Sequence, residues 1–135
     1  MSSSAPYERL FRVLRDNENI SLGICPKNPN ANKTIEEHVD NGSYSQSQYI
    51  STSASREAAI DFAKKGYNYS PGSRKIAVIN TKKMPTSVIY TDLTDPDILY
   101  EEIEDDRAQN FARKFEEVVI EGLIPAHCIE RTFIV

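Results

Sequence analysis

The sequence predicts an α+β fold, and two patterns carry that prediction. Short runs rich in β-branched and other apolar residues recur along the chain, each bounded by proline, glycine or asparagine, as strands commonly are. Helical patterns are short and fall between the strands in no regular order, which is typical of an α+β fold. A length of 135 residues suits one hydrophobic core. We therefore expect one domain over 1–135, with 1–6 as a flexible tail.

Strands are expected where apolar runs lie between turn residues. Residues 9–14 alternate two sets of side chains, as a strand does, and 76–79 are continuously apolar, as in a buried strand. Towards the C-terminus, β-branched runs are separated by Gly122 and Pro125. The predicted strands are 9–14, 48–52, 76–79, 87–90, 118–120 and 128–135.

Three helices are predicted from capping residues and apolar spacing. Thr34 and Glu37 form a capping box, which opens a helix that ends at Gly42. Ser55 can cap a second helix that continues to Lys65, where a flexible aromatic loop over 66–72 follows. The third helix is indicated by apolar residues at i, i+3, i+4 and i+7, namely Ala108, Phe111, Ala112 and Phe115.

Charge is distributed unevenly along the chain. Between Asp92 and Asp106 the sequence has eight Asp and Glu and no Lys or Arg, and we interpret this stretch as a solvated loop and helix entrance. The other 120 residues therefore hold the remaining 12 of 20 acids and all 16 bases, a formal charge of +4. That part could receive a small anionic ligand, whereas no run of Lys and Arg marks a nucleic-acid-binding face.

Cysteine usage and hydropathy indicate where the protein works. Cys25 and Cys128 stand in neither CxxC nor Cys/His spacing, so we expect no metal site and no disulfide framework. The N-terminus lacks the apolar core of a secretory signal, and no apolar run approaches the length of a membrane span. These features favour a cytoplasmic or otherwise intracellular protein without a membrane partner, and they leave delivery into a host cell open.

Three segments carry polar side chains where a ligand site could form. Arg12 lies mid-strand, and its planar fork suits phosphate oxygens, although a solvated edge-strand arginine is the alternative. Ser51, Thr52 and Ser53 lie where a strand turns into a helix, and their hydroxyls could bind a polar ligand or simply cap that helix. Glu117 opens an apolar strand, where a carboxylate could stabilise a developing cation or stay half-exposed.

The order of these segments resembles the ADP-ribosyltransferase superfamily, and most closely its Arg, Ser-Thr-Ser, Glu (R-S-E) branch, which includes the cholera-type toxins. The likeness rests on Leu10-Phe11-Arg12, on Gln48 to Ser53, and on Glu117 followed by Gly122 and Ile124-Pro125. It extends from about Tyr7 to Ile134. The resemblance implies a fold of two small, mostly antiparallel sheets with short helices around an NAD cleft.

The resemblance also implies a role for each matching residue. Arg12 would grip the phosphate and ribose of NAD, and Ser51 would support the wall of the nicotinamide pocket. Thr52 and Ser53 would hold the local geometry. Glu117 would bond the 2′-hydroxyl of the nicotinamide ribose and favour an oxocarbenium-like transition state, in which positive charge develops on the ribose.

The implied activity is that of a mono-ADP-ribosyltransferase, which cleaves the nicotinamide–ribose bond of NAD and transfers ADP-ribose to an acceptor. NAD is then a substrate, and the unknown acceptor is more readily a protein than a nucleic acid. Tyr67 and Tyr69 could fold over the nicotinamide by stacking, although surface tyrosines in a turn are the alternative. We interpret His38 as a neutral surface or partly buried residue, because nothing nearby in sequence supplies a base and a nucleophile.

One position departs from the branch. Phe115 stands two residues before Glu117, where the family usually has Glu or Gln to orient or deprotonate the acceptor. Phenylalanine can accept neither a proton nor a hydrogen bond. This substitution leaves several functions open: transfer to an acceptor activated by its own chemistry, NAD hydrolysis, and a degenerate NAD- or ADP-ribose-binding or protein-interaction module.

Overall fold

A computed structural model of the chain describes residues 4–42 and 46–135. Within these ranges the helices and strands are short. The helices are α1 (Ile35–Asn41), α2 (Arg56–Lys64), α3 (Pro96–Glu102) and α4 (Asp106–Lys114). The strands are β1 (Arg9–Val13), β2 (Tyr49–Ser53), β3 (Lys75–Asn80), β4 (Ile89–Asp92), β5 (Glu117–Glu121) and β6 (Ile129–Ile134).

The described strands form one six-stranded antiparallel sheet in the order β4-β5-β2-β1-β3-β6. β1 pairs along its length with β3, as β2 does with β5, but in the part of the chain described here β1 and β2 share one register pair, Phe11 with Ser53. The predicted α+β class and the antiparallel pairing are confirmed. The expectation of two small sheets is wrong, because the pairing of β1 with β2 joins the halves β4-β5-β2 and β1-β3-β6 into a single sheet.

The helix starts follow the local sequence signals. The capping box of Thr34 and Glu37 has both of its hydrogen bonds, and Ser55 accepts from the backbone of α2 as predicted. The acidic stretch contains more structure than predicted, because its middle part is α3, capped by Asp95 and started by Pro96. β4 also begins two residues later than predicted, at Ile89.

Among the described residues, three hydrophobic clusters hold the sheet and helices together. The largest packs apolar side chains of the strands and their connections, among them Leu10, Ile50 and Ile120. In the second cluster α1, α3 and α4 pack on Val119 of β5, and in the third α2 packs on Ile76 of β3. The helices α1, α3 and α4 thus pack on the β4-β5-β2 half, and α2 packs across β1, β3 and β2.

Candidate active site

A cleft of about 430 Å³ opens beside the join between β1 and β2. Its walls come from these two strands, the first residue of β5, and helices α1, α2 and α4. The sequence-predicted residues that line it are Arg12, Ser51, Thr52, Ser53 and Glu117. Side chains that are far apart along the chain therefore meet in one concave site.

Ser51 and Glu117 lie next to each other on β2 and β5. The hydroxyl of Ser51 donates to Oε2 of Glu117 at 2.8 Å. Their strands pair in register, with Ser53 opposite Glu117 and Ser51 opposite Val119, so both side chains stand on the same face of the sheet. The carboxyl of Glu117 is buried, with 4% of the residue exposed.

His38 of α1 belongs to the same network. Nε2 of His38 lies 2.7 Å from Oγ of Ser51, and Nδ1 lies 2.5 Å from Oγ of Ser47. Because the Ser51 hydroxyl gives its proton to Glu117, it must accept from Nε2–H, and Nδ1 must then accept from Ser47. A directed chain of hydrogen bonds runs from Ser47 through His38 and Ser51 to Glu117.

Burial shifts the pKa values of two members of this network, Glu117 and His38. Burial raises the pKa of Glu117 to about 7, while the hydrogen bond from Ser51 and the charge of Arg12 act in the opposite direction. Burial also lowers the pKa of His38 to about 4, helped by the charges of Arg12 and Lys27. The imidazole is therefore neutral near pH 7, where the carboxyl changes its charge.

Arg12 connects the cleft to the backbone of β2. Its Nη1 donates to the carbonyl of Ser51 at 2.9 Å. Its Nε and Nη2 donate to the two oxygens of Glu18 at 3.2 and 3.1 Å, which is a two-pronged ion pair. Both side chains of this pair are more than nine-tenths buried.

Phe115 and Glu116 directly precede Glu117 in the chain, and each is engaged in contacts of its own. Phe115 ends α4, is 4% exposed, and packs edge-to-face on Phe62 and Phe111 at centroid distances of 5.2 and 4.9 Å. Glu116 has a positive φ of 47° and accepts from the hydroxyl of Ser55, the cap of α2. Phe115 is thus an aromatic wall of the cleft, and the carboxylate beside it is bonded to a helix cap.

The remaining predicted residues take different positions. Thr52 lines the cleft and donates through its hydroxyl to the carbonyl of Val118 at 2.6 Å, so it ties β2 to β5. Tyr67 is 99% exposed, and neither it nor Tyr69 is among the described residues that line the cleft. Their loop begins next to Lys65, which does line it. Stacking of these tyrosines on nicotinamide stays a prediction.

Two residues of the site were not anticipated from the sequence. The sequence predicts a neutral surface or partly buried His38; the residue is neutral near pH 7, but it is buried and hydrogen-bonded inside the cleft. Glu18 was not singled out at all. A buried arginine requires an anionic partner, so the sequence signalled that Arg12 should have one without indicating which acid it is.

Residues 4–42 and 46–135 contain neither a cluster of metal ligands nor a helix that could span a membrane. Among them no group of three or more His, Cys, Asp or Glu is placed to hold a metal ion. No helix within these ranges has the length and apolar character needed to cross a bilayer. Cys25 is exposed and Cys128 is buried, and both are free thiols.

Solved structures share this architecture. EcPltA matches 96% of this chain over 76% of its own, with a TM-score of 0.64 and 15% identity. The nicked CARDS toxin matches 96% of this chain with a TM-score of 0.59 and 19% identity, and the chain spans 26% of that toxin's length. Both are ADP-ribosyltransferase toxins, so the chain has an ADP-ribosyltransferase-like fold.

The sequence comparisons place the chain in a family defined by sequence alone. Residues 8–135 match the family described as a domain of unknown function, DUF7587, and the chain belongs to that family. No curated protein matches the chain.

Proposed function

We propose that the protein cleaves the nicotinamide–ribose bond of NAD and transfers the ADP-ribose to an acceptor, as a mono-ADP-ribosyltransferase of the R-S-E type. The observation that carries the proposal is the buried carboxyl of Glu117, held by Ser51 in a cleft that also contains Arg12. The shared fold with two ADP-ribosyltransferase toxins supports it.

The chemistry asks for a fixed negative charge beside the ribose. As the glycosidic bond breaks, nicotinamide leaves with the bonding electron pair and positive charge develops on the ribose. A carboxylate that is already oriented and shielded from water stabilises the positive charge of the transition state more than it stabilises the uncharged ribose of the bound substrate. Glu117 would fill this role by bonding the 2′-hydroxyl, and the hydroxyl of Ser51 would keep the carboxylate in place.

The other cleft residues would bind and orient NAD. Arg12 would contact its phosphate and ribose, and it already fixes the carbonyl of Ser51. Thr52 and Ser53 would maintain the strand geometry around the nicotinamide pocket, with Thr52 bonded across to β5. His38 would hold Ser51 in the orientation that leaves its proton on the Glu117 side.

The residues near Glu117 support a second candidate, in which water replaces the macromolecular acceptor. Phe115, at the position that orients the acceptor in the branch, is packed among aromatic rings, and Glu116 is bonded to Ser55. This arrangement supports NAD hydrolysis, or a module that binds NAD or ADP-ribose without turnover. If the protein is a transferase, the acceptor that fits best is a protein whose nucleophile needs no base from position 115.

The two free thiols support an intracellular setting.

One assay separates these functions. NAD labelled in its adenylate is incubated with the protein and a cell extract, and nicotinamide release is measured together with label on macromolecules. Release with label on protein supports the transferase, and release without transfer supports hydrolysis. Thermal stabilisation by NAD or ADP-ribose without release supports the binding module. If neither stabilisation nor release is detected, the NAD-based proposal is wrong.

A further inference from the structure

Glu18 occupies the side of Arg12 on which an anion would bind. Its two carboxylate oxygens accept from Nε and Nη2 of Arg12, and we call these two donors the Arg12 anion site. Oε1 of Glu18 also accepts from the backbone N–H of Arg15 at 2.7 Å. The side chain of Glu18 thus folds back over its own turn and lies buried against the guanidinium, with 6% of it exposed.

A phosphate cannot share the Arg12 anion site with this carboxylate. The parallel donors of a guanidinium fork match a carboxylate and a phosphate in the same way, so the two anions compete for them. In the described contacts, one N–H of Nη1 also donates to the carbonyl of Ser51, so these three bonds use three of the five N–H donors of Arg12 and include both donors of the Arg12 anion site. A ligand phosphate therefore reaches the fork by replacing Glu18.

The structure provides a second cation for a displaced Glu18. Nη2 of Arg15 lies 3.7 Å from Oε2 of Glu18, and the side chain of Arg15 is one-third exposed and lines the cleft. A hydrogen bond from the N–H of Glu18 to the carbonyl of Arg15 closes the turn that joins them. A small movement of the Glu18 side chain towards Arg15 would free Arg12 without leaving the carboxylate unpaired.

We propose that Glu18 is a specificity-determining residue of the cleft, an internal carboxylate that holds the Arg12 anion site until a ligand phosphate displaces it towards Arg15. The ligands selected are those with a pyrophosphate or similar multiply charged group, because a weak anion does not replace a buried, two-pronged partner. The identity of the natural ligand rests on the proposed function, whereas competition for the fork does not.

The test compares Glu18→Gln with Asp16→Asn. Both substitutions remove one negative charge from the same turn, but Asp16 is exposed, whereas Glu18 is bonded to Arg12. Affinities for ADP-ribose, inorganic pyrophosphate and adenosine are measured by calorimetry. Glu18→Gln should bind the two phosphate-containing probes about tenfold more tightly than the wild type. Its affinity for adenosine should not change, and Asp16→Asn should match the wild type throughout.

A second measurement covers the case in which Glu18→Gln does not fold. In the wild type, NMR follows the Nε–H of Arg12 and the side-chain carboxyl carbon of Glu18 during titration with pyrophosphate. Both resonances should shift together as the ion pair opens. Unchanged resonances at saturation, or equal affinities of wild type and Glu18→Gln for both phosphate probes, would overturn the inference.

The pyrophosphate arm separates this inference from the proposed function. Tighter pyrophosphate binding by Glu18→Gln in a protein that releases no nicotinamide supports the role of Glu18 and removes the NAD activity. Nicotinamide release with no change in affinity on Glu18→Gln supports the activity and removes the role of Glu18.

Discussion

Nε2 of His38 and Oε2 of Glu117 lie 4.0 Å apart, with the hydroxyl of Ser51 bonded to both. The hydroxyl carries a single proton, so while it donates to the carboxyl it cannot also donate to Nε2, and its 2.7 Å contact with His38 requires Nε2–H to donate. A neutral imidazole with its proton on Nε2 therefore fixes the direction of the hydrogen bonds around the carboxyl. Several predictions about activity and stability depend on this relationship.

Replacing Glu117 by Gln should remove turnover and leave ligand binding largely intact. The amide keeps the shape of the side chain but cannot stabilise the positive charge that develops on the ribose. We expect nicotinamide release to fall by roughly 10²–10³-fold, the usual loss when one such electrostatic contact is removed. Calorimetry with NAD should give a similar affinity for both proteins. Turnover equal to that of the wild type would contradict the assignment of Glu117.

The rate of nicotinamide release should rise with pH through about 7. The pKa of Glu117 is raised to about 7 by burial, and the reaction requires the ionised form. Because the hydrogen bond from Ser51 lowers that pKa, Ser51→Ala should move the rising limb to higher pH. The measurement is kcat/KM between about pH 5 and 9. Ser55→Ala is the control, since the hydroxyl of Ser55 is bonded to Glu116 and to the start of α2 and lies outside this network. If the rising part of the pH–rate profile of Ser51→Ala stays at the wild-type pH, the hydrogen bond from Ser51 does not set the pKa of Glu117.

Glu117→Gln should also change how stability depends on pH. The pKa of Glu117 is about 7 in the folded protein and 4.5 in the unfolded chain. Between these values the folded state binds a proton that the unfolded state has lost, so the free energy of unfolding falls as pH rises. The variant has no carboxyl to ionise here, so its free energy of unfolding should be about 3 kcal/mol higher than that of the wild type at pH 8. Near pH 4 the two free energies of unfolding should agree. Urea denaturation measures the difference.

His38 provides the internal check on that experiment. Its pKa falls from 6.5 to about 4 on folding, so it makes stability rise with pH between these values. In the wild type the two groups therefore nearly cancel between pH 4.5 and 6.5. In Glu117→Gln the free energy of unfolding should rise with pH, because only His38 remains. In His38→Gln it should fall with pH, because only Glu117 remains. The same slope in both variants would mean that at least one of the two pKa shifts is absent.

Arg12→Ala should weaken NAD binding and destabilise the fold. The substitution leaves Glu18 buried without its two-pronged partner, which typically costs roughly 3–5 kcal/mol. Combining Arg12→Met with Glu18→Gln should recover most of that loss, because no buried charge remains unpaired. Denaturation curves and NAD calorimetry on the folded fraction measure both effects. Undiminished stability in Arg12→Ala, or undiminished affinity for NAD, would remove the corresponding role of Arg12.

Phe115→Gln should destabilise the protein without creating an acceptor site. Phe115 is 4% exposed and contacts two other aromatic rings, and removal of a buried phenylalanine usually costs roughly 3–5 kcal/mol. Phe115→Leu is the control, since it keeps an apolar side chain and should lose less. Chemical denaturation tests this. A Phe115→Gln variant as stable as the wild type would show that packing does not explain the residue.

The elements that could be predicted from the sequence are those determined by neighbouring residues. The capping box at Thr34 and the cap at Ser55 place their partners within three positions, so both helix starts are correct. The start of α3 carries the same kind of signal at Asp95 and Pro96, but the run of acids around it suggested a solvated loop. Leu99 of α3 is nevertheless buried, because it packs in the second hydrophobic cluster.

The site was predictable only in part, for the same physical reason. Arg12, Ser51 and Glu117 could be singled out because each stands in a recognisable strand context. The parts played by His38 and Glu18 depend on tertiary contacts, from α1 across to β2 and from a turn back onto β1. No local pattern encodes those approaches. Phe115 could be noted as a departure, but its aromatic partner Phe62 comes from another helix.

The join between β1 and β2 gives Arg12 a second role. Arg12 belongs to one half of the sheet, whereas Ser51 and Glu117 belong to the other, and within the described residues the backbones meet at a single register pair. The hydrogen bond from Nη1 of Arg12 to the Ser51 carbonyl therefore connects the two halves of the sheet, and the same side chain lines the cleft. One guanidinium thus belongs both to the contact that joins the sheet halves and to the binding surface. A substitution of Arg12 therefore changes both at once.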